Sequence, residues 1–300
     1  MPKACYDIHI QEKGAGSHKD KQKVYEWRWK NQVIEIDNMS RKTVLKEQYK
    51  NTDNLKLRKS LHEKYSVNKV GFQRWMFEQY PFGPRMKVLE LGSGRGELWN
   101  YYFESDMLQS YEMDITLSDF SEGMVEYLLQ NYSEKRISVK KIDIINIPFE
   151  KEAFDLIIAN SMLYHVKDID SALSEVKRVL KKDGLFYCST FGINGMTQYL
   201  YHALDELGIP YNHESNISFT LQNGMQLLQR QFGRVERRDY EDALEIDKVE
   251  DYLEYIYSMA SMQGLDRKYY EILLDYFNSR KVNGYLHVPK EYGMFAAGKE

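Results

Sequence analysis

The sequence predicts an α/β fold built on a doubly wound sheet of seven strands, most of them parallel, with helices on both faces. Three observations support this prediction. From residue 85 onward, short apolar stretches alternate with amphipathic stretches of helical periodicity. Glycines at alternate positions follow the first apolar stretch, and acidic residues follow the second and third. These positions meet at one edge of such a sheet, where we expect a functional site.

The predicted elements follow one another in the order typical of this class. Strands are predicted at 86–91, 111–118, 137–142, 154–160, 184–191, 234–244 and 293–298. Helices are predicted at 97–104, 122–131, 169–180 and 222–232, with two aromatic-rich helices at 248–262 and 268–279. Ser121 is a suitable N-cap for the helix after the second strand, and Asp183-Gly184 supplies the turn into the fifth strand.

Periodicity and composition divide the chain into three parts. The polar, lysine-rich start predicts a flexible leader over residues 1–35. Helically spaced apolar residues predict a helical lid over residues 36–84, which prolines and a glycine end. The main domain occupies residues 85–300, with helical cap insertions near 192–220 and 246–290.

Composition limits the classes of protein and site. Of the 300 residues, 43% are hydrophobic and 29% charged, which is typical of a globular chain. No stretch approaches the ~20 apolar residues of a membrane span, and the polar start resembles no signal peptide, so we expect a cytoplasmic protein. Cys5 and Cys188 are the two cysteines, so neither a disulfide framework nor a cysteine metal site is expected.

The net charge of −4 is unevenly distributed, because residues 1–70 carry +7 and residues 71–300 carry −11. A basic arm either binds an anionic partner such as nucleic acid or is simply solvated. It contains no dense basic run and no aromatic-basic RNA motif, which favours the solvated arm.

The glycine turn at residues 92, 94 and 96 follows the acidic residue Glu90 at the end of the first strand. A dinucleotide fingerprint, Gly-x-Gly-x-x-Gly, needs a third glycine at the position of Glu97. The turn therefore differs from that fingerprint, although glycines still allow a sharp turn and a close approach of backbone to ligand.

Polar residues also follow the second, third and fourth strands. Asp119 lies where a ribose-binding carboxylate is expected, and the alternative is that it only caps the next helix. Asp143 follows the third strand, and Asn160-Ser161 follow the fourth. His165 lies just beyond and is either a general base or a packing residue.

Taken in order, these stretches resemble the successive motifs of class I S-adenosylmethionine-dependent methyltransferases. The motifs are Glu90 to Gly96, Asp119, Asp143-Ile144, Phe154 to Ile158, and Leu180 to Leu185. The match is strong over residues 85–191 and holds in outline to residue 300. The resemblance implies a Rossmann-like seven-stranded sheet whose last strand is antiparallel, and S-adenosylmethionine as cofactor.

The resemblance also assigns roles to individual residues. Glu90, Gly92, Ser93 and Gly94 would line the methionine end of the cofactor; many relatives carry Cys or Thr at the position of Ser93. Asp119 would bind the ribose, and Phe120 would flank the adenine. Asp143 would bind the adenine amino group with the Ile144 backbone beside it, and Asn160 and Ser161 would lie near the methionine moiety and the acceptor entrance.

The segment 61–75 resembles the lid helices of small-molecule methyltransferases of the ubiquinone-biosynthesis type. Tyr65 and Trp75 are candidates to cover the sulfonium, because an aromatic face attracts a cation, and the alternative for both is core packing. The cap tyrosines either enclose a pocket for a small acceptor or form an interface with a second subunit of a homodimer.

We therefore expect methyl transfer to an oxygen, nitrogen or carbon atom of a small molecule, without a metal. One alternative is an RNA or protein methyltransferase that docks through the basic arm. The stretch Asn160-Ser161-Met162-Leu163 differs from the Asn/Asp-Pro-Pro-Tyr/Phe signature of many nucleic-acid amino methyltransferases, so nucleic acid is not the expected partner. A second alternative is a cofactor-binding module that regulates a partner without catalysis.

Overall fold

The computed structural model describes residues 52–132, 137–211, 217–259, 262 and 264–300. The expected leader, residues 1–35, and the first part of the expected lid lie outside these residues. Lys56–Glu300 form one unit by their internal contacts. All the elements described below belong to this unit, except that the first helix begins four residues before it.

Two helices precede the sheet, α1 (Thr52–Tyr65) and α2 (Phe72–Gln79). The sheet begins with β1 (Lys87–Leu91), followed by a 3₁₀ turn (Glu97–Trp99) and the short helices α3 (Asn100–Phe103) and α4 (Asp106–Gln109). Then come β2 (Asp114–Asp119), α5 (Glu122–Tyr132), β3 (Ile137–Lys141), β4 (Phe154–Asn160) and a second 3₁₀ turn (Leu163–His165).

The second half of the chain adds the cap to the sheet. Its elements are α6 (Ile169–Val179), β5 (Leu180–Phe191), α7 (Met196–Glu206), α8 (Gly224–Gln229), β6 (Arg234–Tyr240) and β7 (Ala243–Ile246). They continue with α9 (Val249–Ser258), a 3₁₀ turn (Arg267–Tyr269), α10 (Tyr270–Asn278), β8 (Leu286–Pro289) and β9 (Tyr292–Gly298).

Seven strands form one sheet in the order β3-β2-β1-β4-β5-β9-β6. The pairs from β3 to β5 are parallel, whereas β9 is antiparallel to both β5 and β6. The predicted Rossmann-like α/β sheet with an antiparallel last strand is confirmed. Because the order reverses between β1 and β4, the carboxyl ends of β1, β2, β3 and β4 surround the crevice in which such sheets bind ligands.

Alternating residues of each strand pack on the two faces of the sheet. On one face, Leu89, Ile157 and Phe186 are buried under α6 and α8. On the other face, the buried residues of β1, β2 and β4 pack with α2, the first 3₁₀ turn and α5. A third apolar cluster forms the cap from α1, α7, α9, α10, β7 and β8.

Several boundaries differ from the prediction. The strand predicted at 234–244 ends at Tyr240, and Ala243–Ile246 pairs with Leu286–Pro289 in a separate two-stranded sheet. The side chain of Asp242 accepts hydrogen bonds from the Asn68 and Ala243 amides, which ties the turn between the two strands to the segment after α1. The helix predicted at 97–104 is divided into a 3₁₀ turn and α3, and β5 starts at Leu180 rather than at residue 184.

Two further properties concern the described residues. Within the ranges given above, no helix has both the length and the apolar character needed to cross a bilayer. Within the same ranges, no cluster of three His, Cys, Asp or Glu side chains is arranged to hold a metal ion.

Candidate functional site

The glycine turn adopts a backbone that only glycine accommodates without strain. Gly92, Gly94 and Gly96 have φ values of 70°, 54° and 70°. A Cβ on Gly92 would lie 3.0 Å from the Met162 side chain, whereas a Cβ on Gly94 would meet no atom within 4 Å. The turn is therefore closed against the protein at Gly92 and open at Gly94, where a ligand can approach the bare backbone.

Ser93 joins the turn to the neighbouring strand. Its amide donates to the Ser118 carbonyl at 2.8 Å, and its hydroxyl oxygen accepts from the Ser118 amide at 3.1 Å. The same hydroxyl donates to the Glu90 carbonyl at 3.3 Å. Ser93 thus fixes the shape of the turn, and a small hydroxyl residue suits this position.

Glu90 carries a carboxyl group buried at the base of the crevice. Only 3% of the residue is exposed, and the Trp99 indole N–H donates to its Oε2 at 2.8 Å. Burial raises the pKa of Glu90 to about 7, although hydrogen bonds from Trp99, Ser93 and Asn160 act in the opposite direction. Close to neutral pH this carboxyl therefore exchanges a proton readily, and a nearby cation would favour its ionised form.

Asp119 ends β2 and binds two backbone amides. Its Oδ2 accepts from the Gly94 amide at 3.0 Å, and its Oδ1 accepts from the Ser121 amide at 2.8 Å. The second bond lies just before α5, so Asp119 also orders the chain that leads into this helix. Each carboxylate oxygen can accept more than one hydrogen bond, which leaves capacity for ligand hydroxyls.

The ends of β2 and β3 present apolar side chains beside a second carboxylate. Asp143 Oδ1 accepts from the Ile145 amide at 3.2 Å, and the Ile144 side chain is buried. Phe120 and Ile145 are 51% and 46% exposed. Such surfaces suit the faces of a planar base, and Ile145 is a further candidate that the sequence alone does not single out.

Asn160 and Ser161 end β4 in an unusual local structure. Ser161 has a φ of 50°, and its amide donates to Ser189 Oγ at 3.1 Å. The Asn160 amide group bonds the Tyr80 hydroxyl, with Oδ1 at 3.0 Å and Nδ2 at 2.8 Å. Sequence reasoning missed Tyr80 and Trp99, which hold Asn160 and Glu90 from outside the strands; their only signal was an aromatic-rich sequence around the first strand.

The two candidates of the expected lid, Tyr65 and Trp75, each pack within an apolar cluster. The Tyr65 hydroxyl donates to Asp251 at 2.7 Å within the cap cluster, and the Lys64 ammonium lies 4.6 Å from the centre of the Tyr65 ring. Trp75 stacks on Phe72 with ring centres 5.8 Å apart. Both aromatic residues therefore have packing partners, as expected if their role is core packing.

His165 lies in the 3₁₀ turn after β4, with its ring centre 4.4 Å from that of Tyr164. Its side chain is exposed, but desolvation by its neighbours still lowers the pKa of the imidazole below 6.5. The imidazole is therefore neutral at pH 7 and able to accept a proton.

Together these residues fit a nucleoside cofactor with a cationic end. The open backbone at Gly94 is a cradle that a Cβ would fill. Glu90 supplies a buried carboxyl beside it, and Asp119 and Asp143 supply carboxylates at the ends of the next two strands. The polar groups of the site are carboxyl oxygens and amide groups, which can form hydrogen bonds with ammonium, hydroxyl and amino functions of a ligand.

Comparison with known proteins agrees with this geometry. The family model described as "Methyltransferase domain" matches residues 89–188. Malonyl-[acyl-carrier protein] O-methyltransferase of Priestia megaterium is 30% identical over 143 residues, which cover 46% of this chain and 50% of the relative. The human protein named arginine-hydroxylase NDUFAF5, mitochondrial, is 31% identical over 107 residues, covering 35% of this chain and 28% of the relative.

The chain thus spans half or less of the length of these two relatives, and one of them is named for a different reaction. Among solved structures, the YcgJ protein from Bacillus subtilis superposes with a TM-score of 0.51 at 17% identity, covering 76% of this chain and 98% of that one. That similarity supports the fold alone. The family match runs from β1 through the glycine turn into β5, and with the order of the sheet it supports a class I S-adenosylmethionine-dependent methyltransferase domain in this part of the chain.

Proposed function

We propose that the chain transfers the methyl group of S-adenosylmethionine to an oxygen, nitrogen or carbon atom of a small molecule. The observation that carries the proposal is the set of three carboxyl groups, Glu90, Asp119 and Asp143, at or just beyond the carboxyl ends of β1, β2 and β3, with Asp119 bonded to the open backbone of Gly94. These groups match the ammonium, ribose and adenine functions of one ligand, in the order in which they lie along that ligand.

Residue by residue, the proposed binding follows the strand ends. Glu90 and the turn at Gly92, Ser93 and Gly94 hold the methionine end, and Asp119 accepts hydrogen bonds from the ribose. Asp143 and the Ile144 backbone bind the adenine edge, between the exposed side chains of Phe120 and Ile145.

The cofactor, when bound, supplies an activated methyl carbon: the acceptor lone pair forms the new bond, and the carbon–sulfur bond breaks with its electron pair left on sulfur. The chain's own residues then have two tasks. Asn160 and Ser161 position the reacting groups, since alignment alone can supply ~7–11 kcal/mol of the barrier. His165 accepts the acceptor's proton where one must leave.

A small acceptor is favoured by what surrounds the edge of the sheet. Tyr65 and Lys64 on α1 both bond Asp251 on α9, and the Val67 amide donates to the Ala243 carbonyl at 2.9 Å. The described part of the lid is thus joined to the cap. We infer that the lid and the cap cover the acceptor site, which suits a small molecule better than an RNA helix or a folded protein.

The replacement Asp119→Ala is expected to weaken binding of S-adenosylmethionine at least tenfold, about 1.4 kcal/mol, because both ribose contacts and the bond to Gly94 are lost. Isothermal titration calorimetry on both proteins measures this change. The matched control is Asp114→Ala, an exposed aspartate at the opposite end of the same strand, which should leave the affinity unchanged. Absence of binding to the unmutated chain would contradict the proposed function, as would RNA binding that weakens steeply with salt while no small acceptor is methylated.

The replacement His165→Gln tests the proposed proton acceptor. We expect kcat for an acceptor that loses a proton to fall by about 10²-fold, within the range for a general base, while the affinity for S-adenosylmethionine stays the same. Initial rates with tritiated cofactor and calorimetry measure the two quantities. An unchanged kcat would assign His165 to packing against Tyr164 instead.

A further inference from the structure

A row of half-buried aromatic rings continues from the crevice along the carboxyl edge of the sheet. Phe191 ends β5 and lies directly opposite Tyr292 at the start of β9. Tyr164 packs on Phe191 with ring centres 4.9 Å apart, and Phe72 of α2 packs on Tyr292 at 5.3 Å. With Tyr255 of α9, these side chains form what we call the aromatic wall, and each of them keeps part of its surface exposed.

The aromatic wall begins beside the proposed methyl-transfer point. Ser161, at the end of β4, donates its amide to Ser189, which lies two residues before Phe191. Tyr164 follows Ser161 by three residues in the same turn. A molecule whose reacting atom lies near Ser161 therefore has the aromatic wall as its next surface.

The far end of the aromatic wall is His62 on α1. Its ring centre lies 6.4 Å from that of Tyr292 and 5.7 Å from that of Tyr255, in edge-to-face contacts. In the described residues, His62 Nδ1 is the buried side-chain nitrogen that lacks a hydrogen-bond partner. Leaving such a group without a partner costs about 1–3 kcal/mol, and in the tautomer with the proton on Nε2 a ligand that donates to Nδ1 recovers that free energy.

The charge around the aromatic wall is already matched. Burial and the nearby Lys290 lower the pKa of His62 to about 4, so the imidazole is neutral at pH 7. Lys290 is paired with Asp242, and both side chains are buried. The Glu291 carboxylate accepts hydrogen bonds from the Asn194 amide at 2.7 Å and from Gln222 at 2.6 Å. A methyl-acceptor molecule at this surface therefore contacts aromatic faces and one nitrogen without a hydrogen-bond partner, and it meets no unpaired charge among the groups named above.

We propose that the acceptor is a flat, uncharged, largely apolar molecule that lies on the aromatic wall and donates a hydrogen bond from an O–H or N–H group to His62. The proposal rests on the proposed function, since the wall matters because it adjoins the methyl-transfer point. His62 Nδ1 is shut off from solvent, so contact requires a rotation of the His62 ring within its edge-to-face contacts with Tyr255 and Tyr292. The aromatic wall favours flat molecules, and His62 favours molecules with a hydrogen-bond donor.

The test compares three small probes on the full chain by calorimetry at pH 7. The probes share one ring system: 2-naphthol donates a hydrogen bond, 2-methoxynaphthalene does not, and 2-naphthoate is an anion. We expect the unmutated chain to bind 2-naphthol at least tenfold more tightly than either of the others. In His62→Phe, which keeps a ring and removes the nitrogen, the preference over 2-methoxynaphthalene should vanish. In His62→Asn, whose side chain retains a hydrogen-bond acceptor at the same reach, it should persist.

Equal binding of 2-naphthol and 2-methoxynaphthalene by the unmutated chain would overturn the inference, and this comparison needs no variant to fold. Tighter binding of 2-naphthoate, or a preference that survives in His62→Phe, would also overturn it. S-adenosylhomocysteine is titrated into each protein separately, without a probe. Its failure to bind would count against the proposed function and leave the probe result standing, whereas normal binding without probe discrimination counts against this inference alone.

Discussion

Glu90→Gln is expected to make the protein more stable at pH 8 by about 3 kcal/mol while weakening its binding of S-adenosylmethionine. The pKa of Glu90 is raised from 4.5 to about 7 by burial, and a shift of that size corresponds to ~3 kcal/mol. Glutamine keeps an oxygen that can accept the Trp99 N–H and carries no charge. It therefore removes the cost of a buried carboxylate together with the attraction for a cationic ligand.

The sign of the effect follows from the two pKa values. Between pH 4.5 and about 7 the unfolded chain ionises Glu90 while the folded chain keeps it protonated, so the stability contribution is lost as pH rises. Below pH 4.5 the unmutated chain and Glu90→Gln should be similarly stable, and their difference should grow until about pH 7 and then stay constant. Cofactor affinity of the unmutated chain should fall as pH drops below 7, because the carboxyl becomes protonated.

Urea unfolding and calorimetry across pH 4 to 8 measure both effects. Glu126→Gln, on the exposed side of α5, is the matched control and should change neither quantity. If Glu90→Gln were less stable than the unmutated chain at pH 8, or bound the cofactor equally well at every pH, the buried carboxyl would not have the role assigned to it.

Lys290→Met is expected to lower the free energy of unfolding by about 3–5 kcal/mol, the typical loss when one partner of a buried ion pair is removed. The side chains of Lys290 and Asp242 are 3% and 0% exposed. Lys290 also donates to Ser66 Oγ at 2.9 Å, while Asp242 accepts from the Asn68 and Ala243 amides. Methionine fills most of the volume but leaves the Asp242 charge buried and unmatched.

Chemical denaturation at pH 7 measures this loss, with the exposed Lys248→Met as the control. Adding Asp242→Asn to Lys290→Met should restore part of the stability, because no unmatched charge then remains. A loss below 1 kcal/mol in the single variant would show that water reaches the pair and that it does not secure the segment after α1.

The sequence predicted the sheet and the strand-end residues because both depend on local patterns. Apolar stretches and the glycine turn identify β1 to β5, and the class of fold brings Glu90, Asp119 and Asp143 to one edge. Contacts between distant parts of the chain leave no such pattern. The Tyr80–Asn160 bond joins residues 80 positions apart, and the β7–β8 sheet pairs two short segments separated by two helices.

The same distinction explains the predictions about individual aromatic residues. Tyr65 and Trp75 were assigned from their spacing and their attraction for cations, but spacing does not reveal which neighbour occupies a ring face. In the structure, Lys64 lies over Tyr65 and Phe72 stacks on Trp75. The sequence does not distinguish His62 from other helical residues, because only the folded chain shows that its Nδ1 lacks a partner.

The two hydrogen bonds that Asp119 accepts from backbone amides have a consequence for recognition. Since one carboxylate holds both Gly94 and the start of α5, the loop already has its binding shape before a ligand arrives. Little conformational entropy is then lost on association, so each contact contributes more fully to affinity. Preorganisation of this kind lets the surrounding cap change its specificity through substitution while the glycine turn keeps its form.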